Sequence, residues 1–311
     1  MRLIIAAIVA LSPVMPAMAA EEGPQPIDLP GADLYPENLS IGPDSIAYVG
    51  GMSGGVLRVK LDTGEVEQWI APGAYGTGAL FGVLADTTNN ILWTCTNDFS
   101  ARGVTVAGAD IGPWIKGFDL ATGEGRVSVM LPGEGAVCND MAVGRDGAVY
   151  FTDTAQPHIL RWKPDAEELE IWKEDPALGA GLDGLAFGAD GNLYVNNVWA
   201  NTFFRVNVGA DHEAGDAVQL TTSRPLAAPD GMRLIEGLHF ALAEGGGNIS
   251  RLEVKGDHVE VTTLAENIAG PTGIDAANGT LWYVQGQIGA LFNPEAPRPE
   301  LPFKLTPIAA E

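Results

Sequence analysis

Glu37, Asn139, Asp183 and Asp230 are the residues of this sequence best placed to do chemistry together. Each stands at the head of a short strand pattern that returns along the chain, so a fold that brings the heads together would gather three carboxylates and an amide. Three like charges in a partly enclosed place are unstable unless a cation neutralises them. Every donor is an oxygen, which suits a hard cation. Ca²⁺, with its roughly six to eight oxygen ligands, is the expectation, and Mn²⁺ or Mg²⁺ are the alternatives. Zn²⁺ would recruit His or Cys, and neither stands at a strand head. Taken singly, Asp-Gly and Asn-Asp at strand starts are ordinary turn chemistry; the site reading rests on their coincidence in register.

The elements that must position these residues are strands. Asn139-Asp140-Met141-Ala142-Val143 runs through a turn into Gly147–Asp153, and Asp183-Gly184-Leu185-Ala186-Phe187 runs likewise into Gly191–Asn197. Fainter copies begin at Glu37, Phe81, Asp230 and Thr272. A repeat of about 45 residues built of strands and turns predicts an all-β chain, a six-bladed β-propeller with four-stranded blades around a central channel. The ring of strand heads then reads Glu37, Phe81, Asn139, Asp183, Asp230, Thr272. The Asp146-Gly147 and Asp190-Gly191 pairs predict tight hairpins. Arg58, Arg161, Arg205 and Arg251 recur on third strands, where a structural, outward or inter-blade role is expected. Trp69 and Trp172 recur on fourth strands as packing between blades. The Gly-rich insertion from Asn97 to Gly112 lengthens blade two and is expected to cover part of the pocket. Leu301–Leu305 reads as a final strand of blade six, with Pro26–Leu34 a candidate for closing the ring; which terminus lies outermost is open.

Residues 1–20 read as a signal peptide: Arg2, an apolar run interrupted by Pro13 and Pro16, and an Ala17-Met18-Ala19 cleavage pattern. Residues 21–311 are expected to form one domain, periplasmic or secreted. The 40 acidic residues against 17 basic ones give a net charge of −23, which argues against nucleic acid and anionic membranes and in favour of a small neutral or cationic substrate. Whether the chain has a protein partner is open. Repeat alignment puts Cys95 and Cys138 on neighbouring blades at one level. A disulfide and two buried free thiols are equally open, because sequence does not supply the Cα separation a bridge needs.

Pro36-Glu37, Asn139-Asp140, Leu182-Asp183-Gly184 and Pro229-Asp230-Gly231-Met232, in this order on six repeats, resemble the regucalcin–gluconolactonase (senescence marker protein-like) family of calcium-dependent propellers. Paraoxonases and diisopropylfluorophosphatase have a similar metal arrangement. The resemblance runs from about Glu37 to the end of the chain. It implies that Glu37, Asp183 and Asp230 occupy direct metal-ligand positions and that Asn139 binds metal, water or substrate. It departs at Asp183, where the family usually has Asn, and at Val137, where sugar-lactonase members often carry an Arg that holds substrate hydroxyls. No counterpart of the paraoxonase-type catalytic His stands at or beside Phe81.

The expected activity is therefore metal-dependent hydrolysis of a lactone or related small ester. Metal would polarise the carbonyl, Asp230 would take a proton from water, as the resemblance implies, and Asn139 would orient the reacting groups. The alternatives are an exported non-catalytic propeller with a structural metal and a lyase- or synthase-type propeller. Of the histidines, His158 is expected in an exposed loop on the active rim, His239 within a second strand, satisfied or packed there, and His212 and His258 in outer loops.

Overall fold

The structure, a computed structural model, describes residues 23–164, 166–293 and 295–309; the expected signal peptide lies outside the described residues. Twenty-four strands make six four-stranded blades around a central channel. Blade one comprises Pro36–Ile41, Ile46–Gly51, Val56–Lys60 and Val66–Ile70, and blade two Ala79–Asp86, Ile91–Asn97, Trp114–Asp119 and Gly125–Met130. Blade three comprises Cys138–Val143, Val149–Asp153, His158–Trp162 and Glu170–Glu174, and blade four Leu182–Phe187, Leu193–Asn197, Thr202–Val208 and Ala214–Thr222. Blade five, Pro229–Glu236, His239–Glu244, Asn248–Lys255 and His258–Ala265, joins blade four edge to edge through a short parallel ladder, Thr221 and Thr222 against His258 and Val259.

Blade six answers the question of closure. Its inner strands are Pro271–Ala277 and Thr280–Gln285, its third is Phe303–Ala309, and its outermost is Ile27–Leu29, paired antiparallel with Phe303–Leu305. The C-terminal segment is thus not the outermost strand of the blade: the N-terminal segment lies outside it, so the blade is built from both ends of the described chain.

Local sequence explains the blade interior. In the hairpin of blade three, Gly147 takes φ +77° and Asp146 accepts the Ala148 N–H and the Tyr150 hydroxyl; Gly191 and Asp190 repeat this with Asn192 and Tyr194 in blade four. Alternating apolar residues from adjacent blades interleave, for instance Tyr150 against Phe187 and Trp93 against Trp162, while Tyr150 also packs on Trp172 of its own blade. Three of the four third-strand arginines, Arg58, Arg161 and Arg205, make structural ion pairs. Arg58 pairs with Glu67 on its own blade, while Arg161 and Arg205 reach Glu213 and Asp257 on the next. Trp172 likewise donates to the His212 carbonyl of blade four.

Candidate functional site

Each inner strand breaks register with its neighbour at the ring position. The shifts fall between Pro36 and Asn38, Leu80 and Val83, Cys138 and Met141, Leu182 and Leu185, Pro229 and Met232, and Pro271 and Gly273. A bulge leaves its extra residue unpaired and bends the strand, so Glu37, Phe81, Asn139, Asp183, Asp230 and Thr272 are freed from the ladder together. All six line one cavity of about 810 Å³ at one end of the channel. The preceding blade then fixes several of them by their backbones: Asn97 Nδ2 donates to Cys138 O, Thr152 Oγ1 to Asp183 O, Asn196 Nδ2 to Asp230 O and Thr272 Oγ1 to Pro36 O.

The residue after each ring position explains the channel below. In four blades it is glycine, and the next inner strand packs against it so closely that a Cβ on Gly184 would lie 2.4 Å from Asp230 O and one on Gly231 2.5 Å from Thr272 O. The two exceptions are Asn38 and Asp140, and both bind the same side chain. Arg233, from blade five, donates to Asp140 Oδ2 at 2.7 Å, to Asn38 Oδ1 at 3.2 Å and to Val83 O at 3.1 Å. Asn38 Nδ2 in turn donates to Asp140 Oδ1. One buried guanidinium thus joins blades one, two, three and five beneath the carboxylates.

At the cavity floor Glu37, Asn139 and Asp183 are buried, and Asp230 is partly open to the cavity. Asn139 Nδ2 donates to Asp183 Oδ2 at 2.9 Å and to Thr154 Oγ1 at 2.8 Å. With its amide nitrogen so engaged, Asn139 Oδ1 is left buried without a partner, and so is Glu37 Oε2. Buried acceptors without donors are rare in folded proteins. Burial, then the neighbouring Asp183 and Asp140, push the Glu37 carboxyl well above the usual range, with Arg233 opposing. Asp230 is raised by burial and by the charges of Asp183 and Glu37. Asp183 is pushed up to about 8 by burial and Asp140, although Asn139 and the Gly184 N–H hold it down. Among the described residues no group of three or more His, Cys, Asp or Glu side chains stands at a spacing that holds a metal ion.

These residues fit a divalent cation: two orphaned acceptor oxygens, Glu37 Oε2 and Asn139 Oδ1, lie beside two carboxylates whose burial disfavours their charge, and all donors are oxygen. Asp140, Arg233, Asn38 and Thr154 belong to the same assembly and escaped the sequence reading, since none heads a strand. The blade-two insertion contributes Phe99 and Arg102 to the cavity wall, as its position implied, and Trp199 and Val137 line it too.

His158 is a correction. It is buried, opens the third strand of blade three and meets Asp153 Oδ2 at 3.1 Å; it is neither in an exposed loop nor on the cavity wall. Asp153, at the end of the second strand, supplies the acceptor that draws the ring inward, while its other oxygen accepts the Val137 and Ala155 N–H groups. His239 opens its strand half-exposed, 3.7 Å from Glu253. Cys95 and Cys138 form a disulfide with Cα atoms 5.1 Å apart.

Residues 44–284 match the sequence pattern of the SMP-30/Gluconolactonase/LRE-like region. The chain belongs to this family. No curated protein matches it in sequence. Among solved structures it is similar to a gluconolactonase from Xanthomonas campestris (18% identity, TM-score 0.63, covering 96% of this chain and 99% of that one). It is also similar to virginiamycin B lyase from Staphylococcus aureus (16%, 0.60, 92% and 99%) and to the PQQ-bound aldose sugar dehydrogenase of Streptomyces coelicolor (15%, 0.58, 91% and 97%). At these identities the likeness is one of fold, shared by a lactonase, a lyase and a dehydrogenase. Family membership supports a lactonase-type hydrolase.

Proposed function

We propose that this protein is a metal-dependent hydrolase of a lactone or related small ester, with Ca²⁺ as the metal and Mn²⁺ or Mg²⁺ as alternatives. The observation that carries this reading is the pair of unpartnered buried oxygens, Glu37 Oε2 and Asn139 Oδ1, on a floor shared with Asp183 and Asp230. Those four residues would hold the ion, which when bound polarises the substrate carbonyl and offsets the negative charge of the floor.

The side chains supply the remainder. Asp230 is the proton acceptor: it is open to the cavity, and only its Oδ1 is engaged, by the Gly231 N–H. Its other oxygen is free of protein partners on the cavity side, where it can take a proton from water. Water adds its oxygen to the carbonyl carbon, Asp230 receives the proton, the carbon–oxygen bond to the leaving alcohol breaks, and the proton passes to that alkoxide. A lactone gives a hydroxy acid. Asn139, its amide nitrogen held by Thr154 and Asp183, offers Oδ1 to the ion or to the attacking water, and Asp183 is itself fixed by Asn139.

The test is hydrolysis by purified protein across lactones, aryl esters and phosphotriesters, before and after chelation, with Ca²⁺ then restored. Activity that chelator removes and Ca²⁺ returns supports the reading, and Asp230→Asn should then turn over at least about 10²-fold more slowly. Tight Ca²⁺ binding without hydrolysis of any of them would overturn it in favour of a binding propeller.

A further inference from the structure

The cavity wall names a substrate class. Resting on the hydrolase reading, we infer that the site takes lactones or esters bearing an extended alkyl substituent rather than polyhydroxylated ones. The apolar wall begins at the ring itself. Phe81, the blade-two ring residue, stacks on Phe99 of the insertion with centroids 5.3 Å apart, and Phe99 meets Phe292 edge to face at 5.9 Å. Phe292 ends the short helix Gly289–Phe292 in the segment between the second and third strands of blade six. Two loops from neighbouring regions of the rim therefore share one aromatic wall that rises from beside the carboxylates. Val137, Val198 and Trp199 line the same cavity, and Trp199 is 64% exposed although it is among the largest apolar side chains of the protein.

The uncharged polar side chains on this wall are already engaged by the protein. Thr154 Oγ1 donates to Leu182 O and accepts from Asn139; Thr272 Oγ1 donates to Pro36 O. Gln287 Nε2 donates to Glu300 O, and its Oε1 accepts the Glu300 N–H. A sugar ring would bring several hydroxyls against a surface with few free partners, and each hydroxyl desolvated without a hydrogen bond weakens binding. An alkyl chain gains with every methylene it buries. Arg102, Arg298 and Glu300 also line the cavity and are exposed, Arg102 with its guanidinium over the Phe99 ring, 5.7 Å from the centroid. A cavity of about 810 Å³ is larger than an unsubstituted lactone needs.

The experiment compares δ-lactones with alkyl substituents of increasing length against gluconolactone, reading kcat/KM. In parallel, calorimetry measures binding of the matching alkyl δ-lactams, which resist hydrolysis. The expected result is a rise in kcat/KM of about fourfold per added methylene, the same trend in lactam affinity, and a long-to-short ratio that falls at least tenfold in Phe99→Ala and in Phe292→Ala. A preference for gluconolactone, or hydrolysis and binding both indifferent to chain length, would overturn the inference. Lactam affinity that climbs with chain length while no lactone is hydrolysed would sink the hydrolase reading and leave the apolar specificity standing.

Discussion

Arg233 Nη1 lies 2.7 Å from Asp140 Oδ2 across the central channel, and both side chains are buried. The pair is the lower half of a charge arrangement whose upper half is Glu37, Asp183 and Asp230. Asp140 contributes to the raised proton affinity of all three, and Arg233 opposes it at Glu37. A protein cation thus balances the channel below, and on the proposed function a bound one would balance the cavity floor.

Removing one partner of such a pair leaves a buried charge alone. Arg233→Met is expected to cost about 3–5 kcal/mol of stability and Asp140→Asn somewhat less, whereas the double change to apolar residues should recover part of the loss. Urea unfolding of the two single variants and the double variant measures the coupling directly. Additive losses would mean that the contact contributes nothing beyond the two residues separately.

The blades and the ring were legible in the sequence because both rest on local chemistry repeated in register: apolar alternation, Asp-Gly turns, and an acid or amide at the head of the inner strand. Asp140 and Asn38 were on the page, one residue beyond the ring, yet carried no signal alone. Their meaning appears only against Gly82, Gly184, Gly231 and Gly273 at the same position of the other blades, and only once Arg233 is seen to cross from 93 residues beyond Asp140. His158 misled for a related reason: loop and strand are separated by a single residue there, and the inward pull of Asp153 is a tertiary contact. The order of closure in blade six depends on a pairing between the two ends of the chain, which no local pattern encodes.

The Cys95–Cys138 disulfide closes a loop with a sequence separation of 43 residues and fastens blade two to the residue just before Asn139. By the loop-entropy relation it stabilises the fold by about 4 kcal/mol. The Cys95→Ala/Cys138→Ala variant should lose about that much, and its affinity for Ca²⁺ should fall, because Asn139 then keeps only the Asn97 contacts to Cys138 and the clamp of its own side chain. Equal calcium affinity with and without the bridge, measured by calorimetry, would show that the bridge serves stability alone.

Asp230→Asn should separate function from stability. In the metal-free protein burial, then the neighbouring Asp183 and Glu37, raise the proton affinity of Asp230, so folding near neutral pH must either take up a proton or bury a charge there, and the neutral amide avoids both costs. The variant is expected to melt a few degrees above the metal-free parent, and Ca²⁺ should raise its melting temperature less than it raises the parent's. A variant less stable than the metal-free parent at pH 8 would contradict the burial and repulsion argued for the floor.

The same burial and repulsion fix a pH dependence. Asp183 holds its proton up to about pH 8 in the folded chain, against an ordinary value of 3.8, and Glu37 and Asp230 shift in the same direction. Between those pH values the folded chain binds protons that the unfolded chain has released. Metal-free stability is therefore full below about pH 4 as far as these groups are concerned, and is lost progressively as pH rises through the folded value. A divalent cation competes with those protons, so its affinity should rise over the same window. Thermal melts from pH 5 to pH 8.5 should show the metal-free melting temperature falling and the Ca²⁺-induced increase growing. An increase that stays constant across the range would mean that no proton leaves the floor when the ion arrives, and that these carboxylates do not bind it.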